Sequence, residues 1–389
     1  MTSAHPGLAG GPVYLDCNAT TPVDPRVVEE MRPHLADWFG NPSSDHVYAA
    51  KPKEALHRAR TQVAGLIGAE TGEIVFTGSG TEADNLALRG AVLAAKTDRP
   101  HLITQVTEHP AVLETCRALE RLHGVEVTYL PVDRDGLVDP AAVAAALTPR
   151  TVLVSVMAAN NETGALQPIP ALAHVTHAHG ALFHCDAAQA AGKTLLDVRE
   201  LGVDLLTVVG HKMYAPKGIA ALYVRHGVAL EPLVYGGGQE HGLRAGTENV
   251  ALAVALGAAA ELAAAELADG GCEGIAELRD RLHGRLAEGL PGRVQLNGPV
   301  KPRLPSTLNI SIDGVRGHEL LTDVPEIAAS TGSACHSGTD TPSPVLRAMG
   351  LGDARSLSAL RLSIGRWTTP NDVDRAAEAL IAAARAGVV

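Results

Sequence analysis

Phe183-His184-Cys185-Asp186-Ala187-Ala188-Gln189 and, further along, Leu205-Leu206-Thr207-Val208-Val209-Gly210-His211-Lys212 decide the fold. Each is a short apolar run that ends on polar groups. Residues 181–185 and 205–209 read as buried strands. The first delivers a carboxylate, Asp186, just past its end, and the second delivers an amine, Lys212. Upstream, the apolar run 151–157 is followed by Asn160-Asn161-Glu162-Thr163-Gly164. In open α/β sheets ligands bind beyond the carboxyl ends of the strands, so these three groups are expected to converge.

Outward from that centre, strand and helix signals alternate. Strands are predicted at 73–77, 101–106, 125–130 and 219–224, and helices at 53–67, from Thr81, at 110–123, 139–147 and 169–179. Asp24-Pro25 opens another helix by capping it and placing proline first. This order predicts an α/β fold with a doubly wound, mostly parallel sheet. After about Glu248 the pattern changes to long Ala-rich helices at 249–268 and 273–290. Short strands at 307–312, 327–330 and 360–364 and a last helix from Asp372 follow. We read a large domain over 13–255, its N-terminal segment packing with the second unit, and a small α+β domain over 256–389.

The 389 residues are 46% hydrophobic but only 3% aromatic, so the core must be aliphatic. A net charge of -11 disfavours nucleic acid and anionic membrane as partners, because phosphate backbones need basic surfaces. The N-terminus lacks the basic start and apolar run of a signal peptide, and the apolar stretches are broken by charge, so no membrane span is expected. The five cysteines are widely spaced with no CxxC, which argues against a disulfide framework and for a reduced, cytoplasmic setting. His174, His177 and His179 share one helix and read as a solvated face rather than a metal site. His184, Cys185 and Asp186 are consecutive in a strand and cannot close on one ion.

Gly78-Ser79-Gly80-Thr81 lies between a strand and a helix, where small residues and a helix N-terminus suit an anion. Gly78-x-Gly80-x-x-Ala83 also matches a dinucleotide fingerprint, so a dinucleotide-dependent oxidoreductase is a rival reading. Its ribose-binding acid would be Glu108, 30 residues after Gly78 where roughly 20 is expected. A catalytically silent scaffold is a further rival. Alone, Asp186 reads equally as a helix cap and Lys212 as a solvated loop lysine. Together, beside a phosphate loop, they fit pyridoxal phosphate: the amine bonds the aldehyde, and the carboxylate keeps the pyridine nitrogen protonated so that the ring stores electrons.

These stretches belong to a longer series: Asn18-Ala19-Thr20-Thr21-Pro22, Thr81-Glu82-Ala83-Asp84-Asn85, Glu108-His109, Asn161-Glu162-Thr163-Gly164, Asp186-Ala187-Ala188-Gln189, Gly210-His211-Lys212, Gly236-Gly237-Gly238-Gln239-Glu240, Gly246-Thr247-Glu248-Asn249, Gly332-Ser333-Ala334-Cys335 and Arg361-Leu362-Ser363. In this order they resemble the cysteine desulfurases, fold-type I pyridoxal-phosphate enzymes of the class V aminotransferase group. The resemblance implies that Lys212 carries the cofactor and Asp186 partners its pyridine nitrogen. It implies that His109 stacks on the ring and moves protons, and that Gln189 and Asn161 bond the ring oxygen or substrate. Gly80, Thr81 and His211 would hold the phosphate, joined by Thr247 from a second subunit of a homodimer. Arg361 would take the substrate carboxylate, which suits its planar fork.

The resemblance further implies removal of sulfur from L-cysteine, giving L-alanine and a persulfide on Cys335. The sulfur would pass to an acceptor protein, as in iron–sulfur cluster assembly. Cys335 lies in a Gly/Ser/Thr/Pro-rich segment between a strand and a helix, unlike the packing contexts of Cys17, Cys116, Cys185 and Cys272. Two features lean toward the selenocysteine lyases, which release selenide: Val209, where most of the family has Ser or Thr on the phosphate, and Ala334-Cys335-His336-Ser337. Glu108-His109-Pro110 has the desulfurase form.

Overall fold

The structure is a computed structural model and describes residues 5–332 and 341–387. Its strands are β1 (Val13–Tyr14), β2 (Ile74–Thr77), β3 (His101–Gln105), β4 (Glu126–Leu130), β5 (Thr151–Ser155), β6 (Leu182–Asp186), β7 (Leu205–Val209), β8 (Ala220–Val224), β9 (Val294–Leu296), β10 (Thr307–Ile312), β11 (Ile327–Ala328) and β12 (Ala359–Ser363). Seven form the central sheet, in the order β2-β8-β7-β6-β5-β3-β4. The five from β7 to β4 run parallel, as predicted. β8 runs antiparallel to both β7 and β2. The physical reason is length: only residues 210–219 separate β7 from β8, too few for the dozen or more that a parallel crossover needs.

Helices cover both faces. Gly80–Ala94 and Pro110–His123 pack on one through Leu86, Leu88, Val112 and Leu119. On the other, Val47–Leu66 lies against Val250–Ala268 with Ala59, Val63, Leu256 and Ala260 in the core. The two helices approach closely at Gly257, where a Cβ would meet Ala59 Cα at 2.6 Å. Val250–Ala268 is the one helix among the described residues that is apolar and long enough to cross a bilayer, and most of it is buried here. The expected boundary at 255/256 falls inside this helix. Val47–Leu66 begins six residues before the predicted start at 53, because Pro52 is carried inside the helix.

The second layer is the antiparallel sheet β12-β10-β9, backed by helices Gly271–Gly289 and Pro370–Ala386. Its two faces follow from the period of two in β10. Leu308, Ile310 and Ile312 enter the apolar core. Thr307, Asn309 and Ser311 are buried polar residues of the opposite set. Arg361 on β12 pairs with Asn309 in register and therefore lies on that polar face. β1, which the sequence reading did not predict as a strand, pairs in parallel with β11, so the N-terminal segment does pack with this layer.

Candidate functional site

Asp186 is the last residue of β6, and its Oδ1 accepts from Ala188 N–H at 2.9 Å. Lys212 ends a short 3-10 turn directly after β7. Its Nζ donates to two backbone carbonyls, those of Asn18 and Ala19, the latter at 2.9 Å. Burial, with Arg361 adding to it, brings the amine down to about 8. A neutral fraction therefore exists near physiological pH, as bonding to an aldehyde requires. Burial raises the Asp186 carboxyl, while His109 and Lys212 pull it back down. Lys212, His109 and Asp186 thus share one electrostatic site at the strand ends.

His109 caps helix Pro110–His123, its Nδ1 accepting from Ala111 N–H at 3.1 Å. That bond places the hydrogen of the neutral ring on Nε2. Gln189 Nε2 donates to the Asn18 carbonyl at 2.9 Å. The Asn161 carbonyl accepts from Asn18 Nδ2 at 3.1 Å and from Arg361 Nη1 at 3.3 Å. Arg361 is only 2% exposed, and its Nη2 donates to Asp16 at 2.8 Å. Among the described residues its buried Nε has no hydrogen-bond partner. A substrate carboxylate is one group that could accept from it.

The turn expected to cradle a phosphate leads into a capped helix. Helix Gly80–Ala94 is capped by Ser79, whose Oγ accepts from Glu82 N–H at 3.1 Å. A Cβ on Gly80 would lie 2.5 Å from Val209 Cγ2, so the valine side chain fills the space beside the cradle with methyl groups and supplies no donor there. His211 Nδ1 is 3.2 Å from Thr20 Oγ1. Thr81 is exposed at the helix start. Thr247 is exposed on the stretch anchored by the Arg244–Glu82 ion pair at 2.8 Å. These groups fit pyridoxal phosphate: an amine of lowered basicity, a buried carboxylate at the next strand end, and a capped helix N-terminus.

Beneath Asp186 lies a second layer of His184, Glu108 and Asp84, of which the sequence reading gave a role only to Glu108, in the dinucleotide rival. Burial holds His184 neutral, its pKa at about 3. Glu108 is pushed up to about 8 by burial and by Asp186, and Asp84 well above its usual range by the same causes. Near neutral pH this layer therefore adds little charge of its own, and the Ala188 N–H and the Lys212 amine are the main groups that favour the charged form of Asp186. Asn18 was quoted only within a motif, yet it is a hub: its backbone carbonyl holds Lys212 and Gln189, and its Nδ2 reaches Thr307 at 2.9 Å. Lys193 donates to Gln189 Oε1 at 2.9 Å and fixes that amide. One signal for Asp84 was available, an acid placed among the apolar positions of a helix.

Cys335, with His336, lies outside the described residues. The other four cysteines are free thiols, three of them buried. Burial raises Cys17 to about 12, which keeps it an unreactive neutral thiol. Among the described residues no group of three or more His, Cys, Asp or Glu could hold a metal ion. His177 is 2.7 Å from Asp204 and His179 2.8 Å from the Thr148 carbonyl.

Fold and site together define a fold-type I pyridoxal-phosphate enzyme, and the chain belongs to the aminotransferase class-V family, which matches residues 13–376. Within that family it falls among the cysteine desulfurases. A cysteine desulfurase of Trichormus azollae is 47% identical over 370 residues, covering 95% of this chain and 92% of the relative. A solved NifS-like protein has a TM-score of 0.88 at 34% identity, covering 95% of this chain and 98% of that one. SspA in complex with cysteine has a TM-score of 0.79 at 36% identity, covering 92% and 99%. The family match overturns the dinucleotide reading of Gly78-x-Gly80.

Proposed function

We propose that this protein is a pyridoxal-phosphate-dependent cysteine desulfurase that moves sulfur from L-cysteine to Cys335. The observation that carries the proposal is Lys212, a partly buried amine of lowered basicity at the strand end next to that of Asp186, with Arg361 near enough to lower it further. When bound, the cofactor supplies an aldehyde for amines and a ring that stores an electron pair. Lys212 holds it and moves a proton to and from the substrate carbon. Asp186 keeps the pyridine nitrogen protonated, and Gln189, oriented by Lys193, donates toward the ring oxygen. His109, its hydrogen on Nε2, covers the ring and passes protons. Gly80, Thr81 and His211 hold the phosphate, and Arg361 orients the substrate carboxylate.

Cys335 takes the sulfur: a sulfur–sulfur bond forms as the carbon–sulfur bond breaks. One thiol and one cysteine become one persulfide and one alanine, so no outside oxidant or reductant is needed. The persulfide then passes to an acceptor protein, with iron–sulfur cluster assembly as one destination. Free, unpaired cysteines suit a reducing cytoplasm. Purified protein given L-cysteine should release alanine and sulfide in the presence of a thiol reductant. No alanine from L-cysteine, with release from L-selenocysteine alone, would establish the lyase instead.

Asp186→Asn removes the charge that holds the pyridine nitrogen protonated while keeping the shape. The cofactor should stay bound with lower affinity. The rate should fall by on the order of a hundredfold or more, the scale of losing one preorganised electrostatic partner. Absorbance titration with the cofactor and alanine release measure the two effects. Near-normal turnover would remove Asp186 from this role.

The working unit should be a homodimer. By resemblance Thr247 reaches the phosphate of a second subunit, and its exposure on its own chain leaves it open to such a neighbour. Light scattering should give twice the chain mass at assay concentrations, and an active monomer would refute the shared site.

A further inference from the structure

One side chain meets a residue on each side of Cys335. Glu162 is 3% exposed. Gly332, three residues before Cys335, has φ of +124°, and a Cβ there would lie 2.7 Å from Glu162 Oε2. Ser343, eight residues after Cys335, donates its hydroxyl to the same Oε2 at 2.6 Å. Glu162 itself is held from two directions. Its N–H donates to Asn160 Oδ1 at 2.9 Å, and its carbonyl accepts from Asn309 Nδ2 at 3.1 Å. Burial raises its carboxyl, while the Ser343 hydroxyl and Arg361 pull it back.

The two anchor points are built into the site. The Gly332 carbonyl accepts from Arg361 Nη1 at 2.9 Å, and its N–H donates to Ser330 Oγ at 3.1 Å. Ser343 caps the following helix, its Oγ accepting from Leu346 N–H at 3.2 Å. Gly332 at this φ admits no other residue without strain, and the carboxyl fills the space a Cβ would need. The fork assigned to the substrate and the chain leading to Cys335 therefore share one rigid junction, with Glu162 at its centre.

We propose that Glu162 is a positioning residue for sulfur transfer, its carboxyl packing against Gly332 and its Oε2 accepting from Ser343, and so setting the approach of Cys335 to substrate held by Arg361. This rests on the reading of Cys335 as the sulfur acceptor.

The test uses the full-length, cofactor-loaded enzyme. Protein is mixed with L-cysteine and quenched at intervals, and the Cys335 peptide is weighed for one added sulfur. Visible absorbance is recorded in parallel to follow cofactor and substrate binding. Glu162→Ala should slow loading of Cys335 about tenfold or more, within the range that a misplacement near 1 Å produces. Cofactor absorbance should stay within about twofold, because Lys212 and Asp186 are untouched, and the cysteine concentration giving half the absorbance change should rise by less than loading slows. Glu162→Gln, whose amide oxygen still accepts from Ser343, should recover part of the rate. Ser343→Ala provides the same test without altering the buried acid, and Ser343→Thr, which keeps the hydroxyl, is its control. Loading at the wild-type rate in both Glu162→Ala and Ser343→Ala would overturn the inference, as would loading that falls only in step with cofactor absorbance. Wild-type enzyme that releases alanine without placing sulfur on Cys335 would overturn the underlying reading and the inference with it.

Discussion

Lys212→Ala should lose covalent attachment of the cofactor and, with it, turnover of L-cysteine. Lys212 stands at the turn after β7 with its amine among carbonyls, and among the described residues no ion pair engages its Nζ. Burial lowers it from the ordinary lysine value to about 8, so part of the population is neutral and nucleophilic at neutral pH. The variant loses both the bond to the aldehyde and the proton carrier; proton transfer alone is worth roughly 10²–10⁴-fold. Borohydride treatment of wild-type protein should fix the cofactor on the Lys212 peptide, and the variant should take up none. Lys212→Arg separates the two ideas of charge and nucleophile. It keeps a permanent positive charge near Asp186 but cannot bond the aldehyde, so it should fail as fully. Borohydride labelling at Lys193, the other buried amine of the site, would overturn the assignment. Lys193 is lowered to about 7 by burial and by Lys212, which makes it a real competitor on basicity alone. What separates the two is position: Lys193 is engaged by the side-chain oxygens of Gln189 and Asn18 at 2.9 and 3.4 Å.

Much of this site was legible because its chemistry sits at strand ends, where period and punctuation are strongest. Asp186 ends β6 and Lys212 follows β7, two runs buried at all but Leu182, and such runs leave few choices of register. Asn18 was harder to read. It occupies a turn with no periodicity, and its importance arises from carbonyl and amide contacts to Lys212, Gln189, Thr307 and Asn161, partners 143 to 289 residues away except through the folded chain. Arg361 was assigned to substrate by resemblance, but nothing in the chain near it signals that its fork rests on Asp16 and Gly332. That pairing follows from the second layer laying its polar face against the strand ends of the first. β1 escaped prediction because two residues carry no period, and it exists because β11 supplies a partner. The reversal of β8 could have been read from the short connection after β7, by the same crossover argument that places the parallel strands.

Cys335→Ser should bind L-cysteine and yet fail to release its sulfur, the largest selective loss expected of any single atom in this enzyme. Lys212, Asp186 and Arg361 are untouched, so cofactor absorbance and its response to substrate should remain. A serine hydroxyl is a poor nucleophile toward sulfur, whereas a thiolate attacks sulfur readily. The three buried thiols offer no replacement. Cys116 is raised to about 12 by burial, as is Cys17, and Cys185 is pushed well above the ordinary thiol value by burial and by Asp186. A neutral buried thiol neither travels nor attacks. Mass spectrometry of cysteine-treated wild-type protein should therefore find one added sulfur on the Cys335 peptide and none on those three. With L-selenocysteine the variant should keep part of its activity, since the weaker carbon–selenium bond breaks with less help from a thiol. The ratio of the two substrates in Cys335→Ser thus measures how much of the bond cleavage the cysteine itself drives. Desulfuration of L-cysteine by Cys335→Ser at the wild-type rate, or sulfur found on Cys17 or Cys185, would sink the assignment.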